Sequence, residues 1–150
     1  MAERPVRRAG PGPAGPPANP RPTGAGPGRV LIAVYGFFAL AAGARAGWQL
    51  ATRFEEAPVA YLLSALAAAI YLVAAVGLAT GGDRARRAVL ACCTVELAGV
   101  LIVGTASLAL PDAFGRATVW SNYGAGYGFV PLVLPVLGLL WLWHTRPRQP

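Results

Sequence analysis

Glu96 stands alone in an otherwise apolar run, and its type and position make it the first residue to test for chemistry. A charge near the middle of a bilayer costs on the order of 2.5–3.5 kcal/mol, so such a group is expected to face other helices and find partners there. Counting positions supplies one. Glu96 lies roughly nine residues from the basic end of its run, and Tyr71 lies about as far from the basic end of the run before it. Arg45 is some 10 Å nearer the opposite end at 1.5 Å per residue, and its long side chain is a further candidate. Glu96, Tyr71 and Arg45 could together line a proton, ion or substrate path. The plainer alternative is a neutral Glu hydrogen-bonded between helices. One acid without a second acid, His or Lys is a thin relay, so the plainer reading carries more weight from sequence alone.

The stretch Trp120-Ser-Asn-Tyr-Gly-Ala-Gly-Tyr-Gly128 is the second distinctive feature. A Gly-Tyr-Gly triplet occurs in potassium filters, where backbone carbonyls replace the ion's hydration shell. Here no Thr-Val pair precedes the triplet, and little chain is left for a pore helix after Leu110. A glycine-rich, aromatic cap that turns back into the membrane accounts for the composition. Trp120, Asn122, Tyr123 and Tyr127 could form a binding surface on that cap, because loops carry function more often than the elements they join.

Other reactive types are sparse. His144, the single histidine, ends the last apolar run with no evident second axial ligand for haem. Cys92 and Cys93 are adjacent and point about 100° apart on a helix, which suits neither a mutual disulfide nor a metal site. No phosphate loop, zinc-protease or nucleophile-elbow pattern is present. The expectation is therefore a protein that is not an enzyme, with no cofactor and no metal.

The elements that must hold these residues are apolar and long. Hydrophobic residues make up 55% of the chain and charged ones 13%, against about 25% charged in soluble domains. A surface so poor in charge suits hydrocarbon rather than water. Four runs, at about 30–50, 58–80, 88–110 and 129–143, are candidate membrane helices. The first three approach the ~20 residues needed to cross about 30 Å. The fourth is short and holds Pro131 and Pro135. Residues 1–29 are unlike the rest, with eight Pro and six Gly, and read as a disordered, Arg-bearing tail.

Arginine placement predicts orientation. All thirteen basic residues are Arg, and ten fall at 4, 7, 8, 21, 29, 84, 86, 87, 146 and 148. With four crossings those ten share one side, while Arg53 and Arg116 lie on the other beside Glu55, Glu56 and Asp112. The positive-inside rule puts the ten in the cytoplasm, with both termini, and the bilayer expected is the plasma membrane. The net charge of +7 is thus read as a topology signal. Nucleic acid is not expected as a partner, because no basic face is interleaved with aromatics.

Small residues recur at helical spacing: Ala39, Gly43 and Gly47; Ala60, Ser64, Ala68, Ala75 and Ala79; then Cys92, Glu96, Gly99, Val103 and Ser107. Such faces let helices approach closely in lipid. The run ATVWSNYGAGYGFVPLVLPVLGLLWL, with the Ala-rich helices before it, resembles uncharacterised four-helix integral membrane proteins of actinobacteria. The likeness spans about residues 29–146 and is most specific over 117–142. It implies lineage and topology, and it brings no activity or functional residue with it.

The fold class expected is all-α: a polytopic bundle of four transmembrane helices, at 30–146, behind a disordered N-terminal tail. The function expected is that of an interaction or accessory membrane subunit, partnered by lipid and by other membrane proteins or a second copy of itself. The alternative is a small transporter or channel with Glu96 on its pathway.

Overall fold

A computed structural model describes residues 26–113 and 116–146. The tail expected over 1–29 falls outside the described residues as far as position 25. Its last residues are helical, because the first helix, α1, runs Pro27–Thr52. Proline suits that opening turn, where its fixed φ matches the helix and its missing N–H would have had no intrahelical partner. The same device opens α2 at Pro58–Thr80. A 3-10 turn at Phe54–Glu56 links the two.

Between α2 and the third helix, α3 (Gly82–Ala109), stands one residue, Gly81. Its φ of 69° is a left-handed value that glycine adopts without strain, so the chain reverses at once. Arg84, Arg86 and Arg87, expected in a loop before a helix at 88–110, therefore sit in the opening turns of α3. Helix α3 has 28 residues, about 42 Å at the standard rise, and overruns the hydrocarbon at its basic end.

The last helix, α4 (Val130–His144), has 15 residues and reaches only about 22 Å. In front of it lies the 3-10 segment Ser121–Tyr127, broken by left-handed Asn122, Tyr123 and Gly124. The two parts meet at 96°. Among the described residues, three helices are long and apolar enough to cross a membrane, and a fourth crossing exists if this bent pair is one span. The fold is all-α, with no strand among the described residues.

Helices α1 and α2 pack along each other, α2 packs on α3, α3 on α4, and α4 touches α1. Arg29, Arg84, Arg86, Arg87 and Arg146 gather at one end, here the basic end. Arg53, Glu55, Glu56, Asp112 and Arg116 mark the far end, where Arg116 pairs with Glu56 at 2.8 Å. Between the ends the outer surface is hydrocarbon, with Leu40, Val59, Leu72, Ile102 and Leu140 all exposed. Even the exposed hydroxyls of Thr94 and Thr105 donate to the carbonyls of Leu90 and Leu101 one turn back. In lipid no water would take those protons, so the helix itself accepts them. These helices make the chain a membrane protein.

The small-residue faces are mostly turned inward. Ala39, Ala60, Ser64, Ala68, Ala75, Glu96 and Val103 are buried, and Gly43 lies against Ala68. Gly47 and Ala79 stay on the outer surface.

Candidate functional site

Glu96 lies midway along α3, fully buried. Around it the bundle brings together Tyr35 from α1, Tyr71 from α2, and Cys93 one turn earlier on α3. All three are fully buried. The rings of Tyr35 and Tyr71 are tilted at 52° with centroids 6.1 Å apart. Phe38 meets Tyr71 edge-on at 6.1 Å. The Tyr35 hydroxyl lies 3.3 Å from the Cys93 sulfur, so each partly satisfies the other.

Close approach at this level depends on Gly138 of α4. A Cβ there would stand 2.7 Å from Cys93 Sγ and 3.0 Å from Tyr35 Oη, so only glycine lets α4 pass. The second close approach is at Gly99, one turn beyond Glu96. The indole of Trp120 lies on its bare backbone, 2.9 Å from where a Cβ would be. Since Gly99 is ten residues short of the end of α3, the indole of Trp120 reaches about 15 Å below the top of that helix.

Irregular backbone at this depth needs partners from the protein. The chain provides them. Thr118 and Ser121 clasp each other, each side-chain oxygen accepting from the other's N–H at 3.0 and 2.9 Å. Ser64 of α2 accepts the Val119 N–H at 3.3 Å, and Ser107 of α3 accepts the Asn122 N–H at 2.9 Å. Tyr123 packs over Gly104, and its hydroxyl meets Thr105 Oγ1 at 2.9 Å.

The four residues expected on an outer surface are thus divided. Trp120 is 2% exposed and points into the bundle; Asn122 is exposed; Tyr123 and Tyr127 are half-buried. Arg45 is placed elsewhere than beside Glu96. Its guanidinium donates to the Tyr127 hydroxyl at 2.9 Å and lies 5.8 Å from that ring's centroid. Tyr71 and Glu96 are brought together as neighbours that interact electrostatically. The contact between the Tyr71 hydroxyl and the Glu96 carboxyl has hydrogen-bond character but falls outside ordinary hydrogen-bond geometry.

Among the described residues, the buried side-chain atoms left without a hydrogen-bond partner are Tyr71 Oη, both carboxyl oxygens of Glu96, and Trp120 Nε1. These belong to three residues packed around one stretch of α3. The set offers one hydroxyl that gives or takes a proton, one indole N–H that only gives, and a carboxyl that takes on either oxygen when ionised. That is a proton-holding chemistry. Among the described residues no group of three His, Cys, Asp or Glu stands together as a metal site would require.

No family model, curated protein or solved structure matches the chain.

Proposed function

We propose that the protein is a small multi-pass transporter or channel of the plasma membrane in which Glu96 takes up and releases a proton on the pathway. The observation that carries this reading is the set of buried polar atoms on Tyr71, Glu96 and Trp120 that lack a well-formed hydrogen bond. A buried polar group without a partner costs about 1–3 kcal/mol, more when charged, and packing alone would be better served by an apolar residue. Intramembrane acids mark ion and proton paths often enough for function to be the default reading. The packing around Glu96 is closed, so exchange with water requires α2, α3 and the Trp120 loop to part. The basic end of the bundle is taken as cytoplasmic, following the positive-inside rule.

The test is proton flux into proteoliposomes carrying a pH-sensitive dye, driven by a potassium diffusion potential. Flux above that of protein-free vesicles, lost in Glu96→Gln while the helical signal persists, is the expected result. Equal flux with and without the wild-type protein would overturn the reading.

A second reading, an accessory or self-associating subunit, is favoured by the open side of α1. Gly36 and Gly47 both leave room there, with no heavy atom within 4 Å of a would-be Cβ. Close helix–helix contact in lipid uses such positions. The mass of the complex extracted in mild detergent tests it. A stoichiometric partner or a defined oligomer would support it, and a monomer would remove it. The resemblance to uncharacterised actinobacterial membrane proteins is compatible with either reading and decides neither.

A further inference from the structure

The basic end of the bundle carries a groove that the reading of Glu96 does not use. It is a cleft of about 90 Å³ between α3 and α4, lined by Arg86, Arg87 and Arg146 above Leu90, Leu139 and Trp143. Three arginines from two separate parts of the chain therefore line one small space. Arg86 and Arg146 are close enough to repel, and the acid that acts on Arg86 is Asp83. Among the described residues, neither ion pair involves any of the three.

Arg86 has a structural task. It donates to the Leu142 carbonyl and, at 3.3 and 3.4 Å, to the hydroxyl and carbonyl oxygens of Thr145. Those are end groups of α4, whose last carbonyls have no intrahelical donor and carry the negative end of the helix dipole. By capping α4, Arg86 pins the two helices and fixes the cleft. Arg87 and Arg146 are exposed, and among the described residues neither side chain has such an engagement.

We propose that this cleft binds the headgroup of an anionic glycerophospholipid, its phosphate held by Arg87 and Arg146 and its acyl chain lying on Leu90, Leu139 and Trp143. Charge complementarity identifies the occupant. Three arginines against the single acid Asp83 call for an anion, and Arg recognises phosphate oxygens through paired N–H donors. The apolar floor identifies it further, because Leu90 and Trp143 are exposed immediately beneath the arginines. A free phosphate would have no use for that floor, whereas a lipid presents its charge and its hydrocarbon in this order. The cleft also lies where an anionic leaflet would meet the bundle, and basic pockets between membrane helices bind such headgroups.

The test is native mass spectrometry of the full chain released from detergent, with phosphatidylglycerol or phosphatidylcholine of identical acyl chains added. The wild type should retain phosphatidylglycerol preferentially. In R87Q/R146Q retention should fall on the order of tenfold. In R29Q/R84Q, which removes the same charge from the same end but outside the cleft, it should be nearly unchanged. Equal loss in both double variants would mean diffuse attraction and overturn the site. So would equal retention of the two lipids by the wild type. Displacement of the lipid by millimolar inorganic phosphate would show that the cleft reads phosphate alone, and would overturn the lipid assignment. Should R87Q/R146Q fail to fold, R146Q against R84Q carries the same comparison, since residue 146 lies beyond the helix.

Discussion

Replacing Glu96 by Met should stabilise the bundle while abolishing any proton movement through it. Methionine is close to glutamate in length and volume and adapts its shape to its surroundings, so no large cavity or clash is introduced. The substitution removes two buried oxygens that have no hydrogen-bond partner. One unsatisfied buried polar group costs about 1–3 kcal/mol, and the Tyr71 hydroxyl loses only a contact that is outside ordinary hydrogen-bond geometry. The expected gain is therefore about 1–3 kcal/mol. Reversible unfolding in mixed micelles of mild detergent and dodecyl sulfate, followed by circular dichroism, measures it. Glu96→Gln separates charge from polarity, and should gain less because its amide still needs partners. A loss of more than about 1 kcal/mol in Glu96→Met would refute the reasoning, since the carboxyl would then be a well-satisfied element of the core. Stability rising as flux falls would instead be the trade-off common at functional sites.

Gly99→Ala would put a Cβ 2.9 Å from the Trp120 ring and should cost about 1–3 kcal/mol, with altered tryptophan emission as the indole is displaced. Gly138→Ala should be destabilising to a similar extent, because its Cβ would meet Cys93 Sγ at 2.7 Å; faster alkylation of Cys93 under mild conditions is the readout. Ser64→Ala should loosen the inserted loop by about 1 kcal/mol, seen as faster amide exchange at Val119. Arg116→Gln should change stability by less than about 1 kcal/mol, with the small effect vanishing at high salt, since its pair with Glu56 is largely exposed.

The long helices were legible because hydrophobic length is a direct demand of the bilayer. The run 58–80 coincides with α2, and 30–50 lies within α1. The beginning of α3 was hidden by Asp83, Arg84, Arg86 and Arg87, whose charge marks contact with water but does not stop a helix. The depth of the Trp120 loop was hidden for a different reason. Its backbone is satisfied by Ser64 and Ser107, which in sequence are merely small residues in apolar stripes. A usable signal was there, in two glycines five apart on α3 facing an aromatic pair three apart, Trp120 and Tyr123. Of the candidate cluster, Tyr71 with Glu96 was readable from equal depth. Tyr35 and Cys93 stand equally far into their runs and were readable in the same way. Arg45 was not, because only the folded loop brings Tyr127 within its reach.

The inserted loop also fixes an order of assembly. Ser64 and Ser107, which receive its backbone, and Gly99 and Gly104, which receive its aromatic rings, are all made by the ribosome before the loop emerges. The C-terminal quarter of the chain has no place to settle until α2 and α3 have paired. Until then the troughs over the two glycines lie open to lipid tails. Closing the bundle is thus a displacement of lipid by tryptophan and tyrosine, and the segment made after α3 is the keystone of the helices before it.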